Sequence, residues 1–114
     1  MPFIDLKTTV KINENTEEIL RKEFGKIITL IPGKSEAWLM LNFSGEQKMA
    51  FRGNADGECA MVSVDLLGGA SDKAYDDMTR AICLAVNKIL GVPLERTYVK
   101  YSEFEHWGFA GENF

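Results

Sequence analysis

Polar and apolar positions along this chain divide it into two similar runs. From Phe3 to Val10, Phe3, Asp5, Lys7 and Thr9 alternate with Ile4, Leu6, Thr8 and Val10, a period of two with several β-branched residues. That pattern predicts a strand. After the polar stretch Lys11 to Glu14, Asn15 and Glu18 have the spacing of a capping box, so a helix is expected to start there. Ile19, Leu20, Phe24, Ile27, Ile28 and Ile31 fall on one helical face, with Glu17, Arg21, Lys22 and Lys26 opposite. Pro32-Gly33 stops the helix, and Lys34 emerges just beyond. Ala37 to Phe43 is apolar enough for a strand covered on both faces, and Gln47 to Phe51 reads as a short strand after the Ser44-Gly45 turn.

The second run repeats the first. Cys59 to Leu67 predicts a strand closed by Gly68-Gly69, and a helix follows from a Ser71 or Asp72 cap to Leu90. Its apolar face is Ala74, Tyr75, Met78, Ala81, Ile82, Ala85, Val86 and Ile89. Gly91 and Pro93 end it, and Thr97 to Phe104 is the last long strand. The tail from Glu105 carries Trp107, Phe109 and Phe114 between glycines. Strand, helix, Pro/Gly stop and strand therefore occur twice, over residues 3–43 and 59–104. The expected fold is one α+β domain over residues 1–114, with two βαβ repeats forming a four-stranded mixed sheet. The right-handed crossover rule places both helices on one face of that sheet. The uncovered face is expected to be apolar, because Cys59 and Met61 alternate with Ala60, Val62, Val64 and Leu66, and to meet another subunit.

Composition narrows the function classes. At 114 residues and 46% hydrophobic the chain suits a single core. Thirteen basic against 17 acidic side chains give a net charge of -4, which offers no continuous attraction for a phosphate backbone, so nucleic acid is not an expected partner. No apolar run approaches the roughly 20 residues needed to cross a bilayer, and Asp5 interrupts the start where a signal peptide would stay apolar. The expected compartment is cytoplasmic. Cys59 and Cys83 stand apart with no C-x-x-C spacing, and His106 is the only histidine, so neither a metal cage nor a His-Cys pair is indicated.

One terminal feature carries possible chemistry. Removing Met1 from a small second residue leaves Pro2 as a secondary amine, a group no other residue type supplies. A terminal amine titrates at about 7.7 to 8.0, and burial or nearby cations lower it toward neutrality. Pro2 then serves as a base at physiological pH. By itself an early proline is also a common accident of a frayed terminus, but the strand that begins at Phe3 ties this one down.

Taken in order, Met1-Pro2, the Pro32-Gly33-Lys34 turn, Met49-Ala50-Phe51, Cys59-Ala60, Gly68-Gly69, Tyr75 and the run Arg96, Tyr98 and Tyr101 resemble the macrophage migration inhibitory factor family of the tautomerase superfamily, from end to end. The resemblance implies a homotrimer whose sheets form a barrel wrapped by six helices, with short edge strands joining neighbours and a site between subunits. It implies cofactor-independent keto-enol tautomerisation of phenylpyruvate-like aromatic 2-oxo acids or dopachrome derivatives. Pro2 is then the catalytic base, Lys34 binds the substrate carboxylate, and Tyr98 assists from the adjacent subunit. Phe3, Trp107, Phe109 and Phe114 match residues lining the pocket mouth. Leu66 or Leu67 falls where a backbone amide reaches the substrate, with a short deletion before Gly68-Gly69 shifting the alignment.

Two departures bear on specificity and side activities. Lys100 stands where the mammalian cytokine has an asparagine, which adds a second cation toward the substrate or toward Pro2. Val62 replaces the second cysteine of a C-x-x-C, removing the basis for thiol-disulfide chemistry. Taken residue by residue, Lys34 also suits a solvated turn, Tyr98 a packed strand position, and the three tail aromatics a stapled hairpin. Two other functions remain open at this level: a cytokine-like protein, released by a route without a signal peptide, that binds a receptor on the same scaffold, and a monomeric ferredoxin-like regulatory domain.

Overall fold

The computed structural model describes residues 1–114. Strand β1 runs from Pro2 to Thr8, helix α1 from Glu14 to Ile27, β2 from Met40 to Ser44, β3 from Ala60 to Leu67, α2 from Asp72 to Leu90 and β4 from Thr97 to Phe104. A two-residue hairpin pair, β5 at Gly108–Phe109 and β6 at Glu112–Asn113, closes the tail. The main sheet has the order β2-β1-β3-β4, with β1 parallel to β2, antiparallel to β3, and β3 parallel to β4. Two βαβ units thus meet back to back along β1 and β3, giving the mixed four-stranded sheet and two-layer α+β architecture.

The core lies between this sheet and the two helices. Ile4 and Leu6 of β1 and Val62, Val64 and Leu66 of β3 are fully buried against Leu20 and Phe24 of α1 and Met78, Ile82 and Val86 of α2. Each strand sends alternate residues to this layer, which is why the period-two pattern located the strands. The wheel read for α1 holds except at Ile19, which is 46% exposed.

Four expectations change. Helix α1 is capped by Asn13, not Asn15: its side chain accepts from the Thr16 N–H at 2.9 Å. The earlier start places Glu14 and Glu17 in the first turn, where the helix dipole favours negative charge. Residues 36–38 form a 3-10 turn rather than strand, because β2 first finds a partner at Met40, opposite Phe3, close to where β1 begins. Met40 is 68% exposed, so the run is not covered on both faces. Residues 47–51 make no strand within the protomer. Their only extended pairing is an isolated bridge from Phe51 to Asn54, and neither sheet edge in this chain receives them.

The open face of the sheet is the fourth. It is polar in its middle, carrying Asp5, Lys7, Asn42, Ser63, Lys100 and Ser102, since β3 turns every apolar even-numbered residue toward the helices. Lys7 bonds Asp5 at 2.9 Å and Asn42 donates to the same carboxylate at 2.9 Å. Burial opposes ionisation of Asp5, but the bonds from Asn42 and Lys7, with the charges of Lys7 and Lys100, hold its carboxyl below the usual value.

Candidate functional site

At one end of the sheet, three segments far apart in sequence converge. The start of β1 supplies Met1, Pro2 and Phe3, the segment between α1 and β2 supplies Lys34 and Ala37 to Met40, and the tail supplies Trp107, Gly108 and Phe109. A cavity of about 420 Å³ lies among the apolar members of this group. Its walls are largely apolar and include the rings of Phe3, Trp38, Trp107 and Phe109: Trp38 meets Phe109 edge to face with centroids 5.2 Å apart, and Phe114 stacks on Phe109 at 6.2 Å.

Polar groups gather at the chain start. Lys34 donates its ammonium to the Leu67 carbonyl at 2.9 Å, and the Leu67 N–H donates to the Met1 carbonyl at 3.1 Å. Burial, then the charge of Lys34, then a hydrogen bond from Lys34, lower the terminal amine below its ordinary value. Pro2 is buried and paired opposite Leu66, so the chain start is part of the sheet. An amine with a depressed pKa, a fixed cation and a backbone N–H therefore share one edge of an aromatic cavity. Such a set can take an anionic aromatic compound and move a proton on it.

The predicted residues divide into two groups. Pro2, Phe3, Trp107 and Phe109 line the cavity, Lys34 lies at its polar edge, and Phe114 backs its wall. Leu67 takes part through both of its backbone groups, whereas the Leu66 side chain is fully buried in the core. Tyr98 and Lys100 are elsewhere in the protomer. Glu103 lies in the row of Leu66 and Pro2, and Tyr98 is five residues back along β4, roughly 16 Å at a strand's rise of about 3.3 Å. There the Tyr98 ring is 58% exposed and rests edge-on against Phe51 at 4.9 Å. Lys100 stands beside Ser63 on the polar open face.

Trp38 and Met40 are cavity residues that the sequence reading assigned only to a strand. Their nearness to the Lys34 turn was the available signal, hidden by an apolar run that looked like sheet. No group of three His, Cys, Asp or Glu side chains is arranged to hold a metal ion.

Known proteins share this fold from end to end. Residues 1–114 match the family described as macrophage migration inhibitory factor (MIF). The chain is 25% identical over 118 residues to the macrophage migration inhibitory factor of Xenopus laevis, covering 100% of this chain and 99% of that protein. It superposes on the crystal structure of Leishmania major MIF2 with a TM-score of 0.93 at 32% identity, covering 100% of this chain and 97% of that one. The macrophage migration inhibitory factor of Toxoplasma gondii shares the fold, with a TM-score of 0.89 at 23% identity over 98% of this chain and 99% of that one. The chain belongs to the macrophage migration inhibitory factor family, within the tautomerase superfamily.

Proposed function

We propose that this protein is a cofactor-independent keto-enol tautomerase acting on phenylpyruvate-like 2-oxo acids, with Pro2 as its base once Met1 is removed. The observation that carries the reading is the position of Lys34 beside the Met1 amine at the chain start, next to a cavity lined by Pro2, Phe3, Trp38, Trp107 and Phe109. Tautomerisation takes a proton from the carbon beside a carbonyl and delivers one to the carbonyl oxygen, and ketonisation of the enol runs the same transfer in reverse. It needs a base that is unprotonated near neutral pH and stabilisation of the enolate charge. Loss of Met1 converts the Pro2 nitrogen from an amide, which has no basic lone pair, into such a base. It also frees the Leu67 N–H, now donated to the Met1 carbonyl, for a substrate oxygen. Lys34 pairs with the substrate carboxylate, and its charge keeps the amine neutral before substrate enters. Phe3, Trp38, Trp107 and Phe109 receive the aromatic ring.

The separation of Tyr98 from Pro2 within one protomer supports a site completed by Tyr98 of the partner subunit in a homotrimer. The open outer edges of β2 and β4 are where copies would pair, and a groove of about 470 Å³ between α1 and β2 runs along one of them. The test is the ketonisation of phenylpyruvate enol by protein whose N-terminus has been defined by mass. Pro2→Gly is expected to lower kcat/KM by at least about 100-fold, the lower end for loss of a positioned base. Equal rates in the two proteins would remove Pro2 from the mechanism.

A further inference from the structure

Lys34 is anchored at the point where β3 gives way to an intrinsically loose turn. Its ammonium is anchored on the Leu67 carbonyl, and the chain then passes through Gly68, at φ 82°, and Gly69 before α2 begins. Leu67 is the last residue of β3, paired with Phe104, but beyond that strand end the paired glycines impose little restriction on the backbone, so the path of the turn into α2 must come from tertiary contacts.

Those contacts converge on two side chains. Tyr75, in the first turn of α2, accepts a hydrogen bond from the Ala70 N–H at 3.1 Å and donates to Glu103 of β4 at 2.5 Å. Its ring packs on that of Tyr101 with centroids 4.4 Å apart, and the Tyr101 hydroxyl donates to the Tyr75 carbonyl at 3.2 Å while pairing with Thr79 at 2.8 Å. The Glu103 carboxylate occupies the space where a Cβ at residue 69 would stand, so glycine is needed there for it to approach. One residue earlier, the Gly68 N–H donates to the Phe104 carbonyl at 2.9 Å. The turn is thus held at both ends, by β4 and by the Tyr75 hydroxyl. Burial, then the hydrogen bond and charge of Glu103, push that hydroxyl up to about 12, so it remains a donor throughout the neutral range.

We propose that Tyr75 and Glu103 form a positioning clamp that holds the Leu67–Ala70 turn and, through the Leu67 carbonyl, fixes Lys34 beside the chain-start amine. Neither residue lines the cavity. The inference deepens the tautomerase reading and rests on it only for the consequence on catalysis. The clamp's effect on the amine is a property of the protein alone. Lys34 is the charged group that acts on that amine, so a Lys34 released by a loosened turn withdraws both its charge and its hydrogen bond.

The test follows the pH dependence with which acetic anhydride acylates the chain-start amine, read by mass spectrometry of the N-terminal peptide, together with KM and kcat for phenylpyruvate enol. Circular dichroism confirms folding in each variant. In Tyr75→Phe and in Glu103→Ala the acylation profile is expected to move to higher pH, and KM to rise several-fold more than kcat falls. Glu103→Gln, which keeps an acceptor for the Tyr75 hydroxyl, restores most of both. Two folded variants with wild-type acylation profiles and KM would overturn the clamp; should Tyr75→Phe fail to fold, Glu103→Ala against Glu103→Gln decides the matter. The two readings separate cleanly. Wild-type protein that lacks tautomerase activity, yet shows an acylation profile that moves with Tyr75→Phe, sinks the tautomerase reading and leaves the clamp. Active wild-type protein with an unmoved profile does the reverse.

Discussion

The two βαβ halves follow one plan and differ in how regularly they carry it out. In the second half, α2 is 19 residues long, capped at its start by the Ser71 side chain and at its end by Gly91 in the left-handed conformation. It leads through a short turn into β4, which pairs with β3 over eight residues. The first half has a 14-residue helix that tightens into a 3-10 turn, a second 3-10 turn at Glu36–Trp38, and only five residues in β2. The connection between its helix and its strand holds Lys34 and Trp38 and leads into Met40 at the first position of β2. The site is therefore built where the repeat breaks. A backbone committed to a helix or a ladder has its polar groups already paired and its side-chain directions set, whereas an irregular connection can bring a cation and an aromatic wall to a neighbouring strand end.

Three changes probe that division of labour, taken from the largest expected effect downward. Ile82 is fully buried in α2, and Ile82→Ala is expected to cost about 2–5 kcal/mol of unfolding free energy in a urea titration, with the chain-start amine titrating as before. An equal loss of amine tuning would show that the halves are not separable. Lys34→Ala is expected to do the opposite. Two of the three influences that lower the Met1 amine come from Lys34, and in the processed protein Lys34→Ala is expected to let the Pro2 amine rise in the same direction. Less free base is then present at neutral pH, and the acid limb of the kcat/KM profile moves to higher pH. With the loss of the carboxylate contact, kcat/KM falls by roughly tenfold or more, equivalent to about 1.4 kcal/mol. A pH profile superimposable on wild type would separate Lys34 from the base. The smallest change is at the caps: Ser71→Ala removes the acceptor for the Ala74 N–H and is expected to cost about 1 kcal/mol in the same titration without altering that profile.

Legibility followed the same line. Strands β3 and β4 and the whole of α2 could be read closely because each obeys a single periodicity between clear stop signals. In the first half the helix cap fell two residues early, at Asn13, because N-E-N offers two asparagines of equal capping ability and only the fold chooses between them. The run from Ala37 was misread because strand formation needs a partner as well as propensity, and β1 offers none opposite Ala37. Residues 47–51 failed for the same reason. Pro2, Lys34 and the tail aromatics were singled out through their match to a family pattern, since nothing local to any of them distinguishes a functional residue from a frayed end, a turn lysine or a stapled hairpin.

What the amino-acid sequence determined by itself was the alternation that sends Ile4, Leu6, Val62, Val64 and Leu66 to one side, the helical stripes that cover them, and the glycines and prolines that end each helix. These are short-range consequences of side-chain direction and backbone freedom. Only the tertiary structure decided that Trp38 would close a cavity with Phe109, and that Lys34, Leu67 and the chain start would meet. It also decided that Tyr75 and Glu103 would hold the turn between them. Those relations join residues dozens of positions apart, and their energies exist only once the core has fixed where each strand end lies.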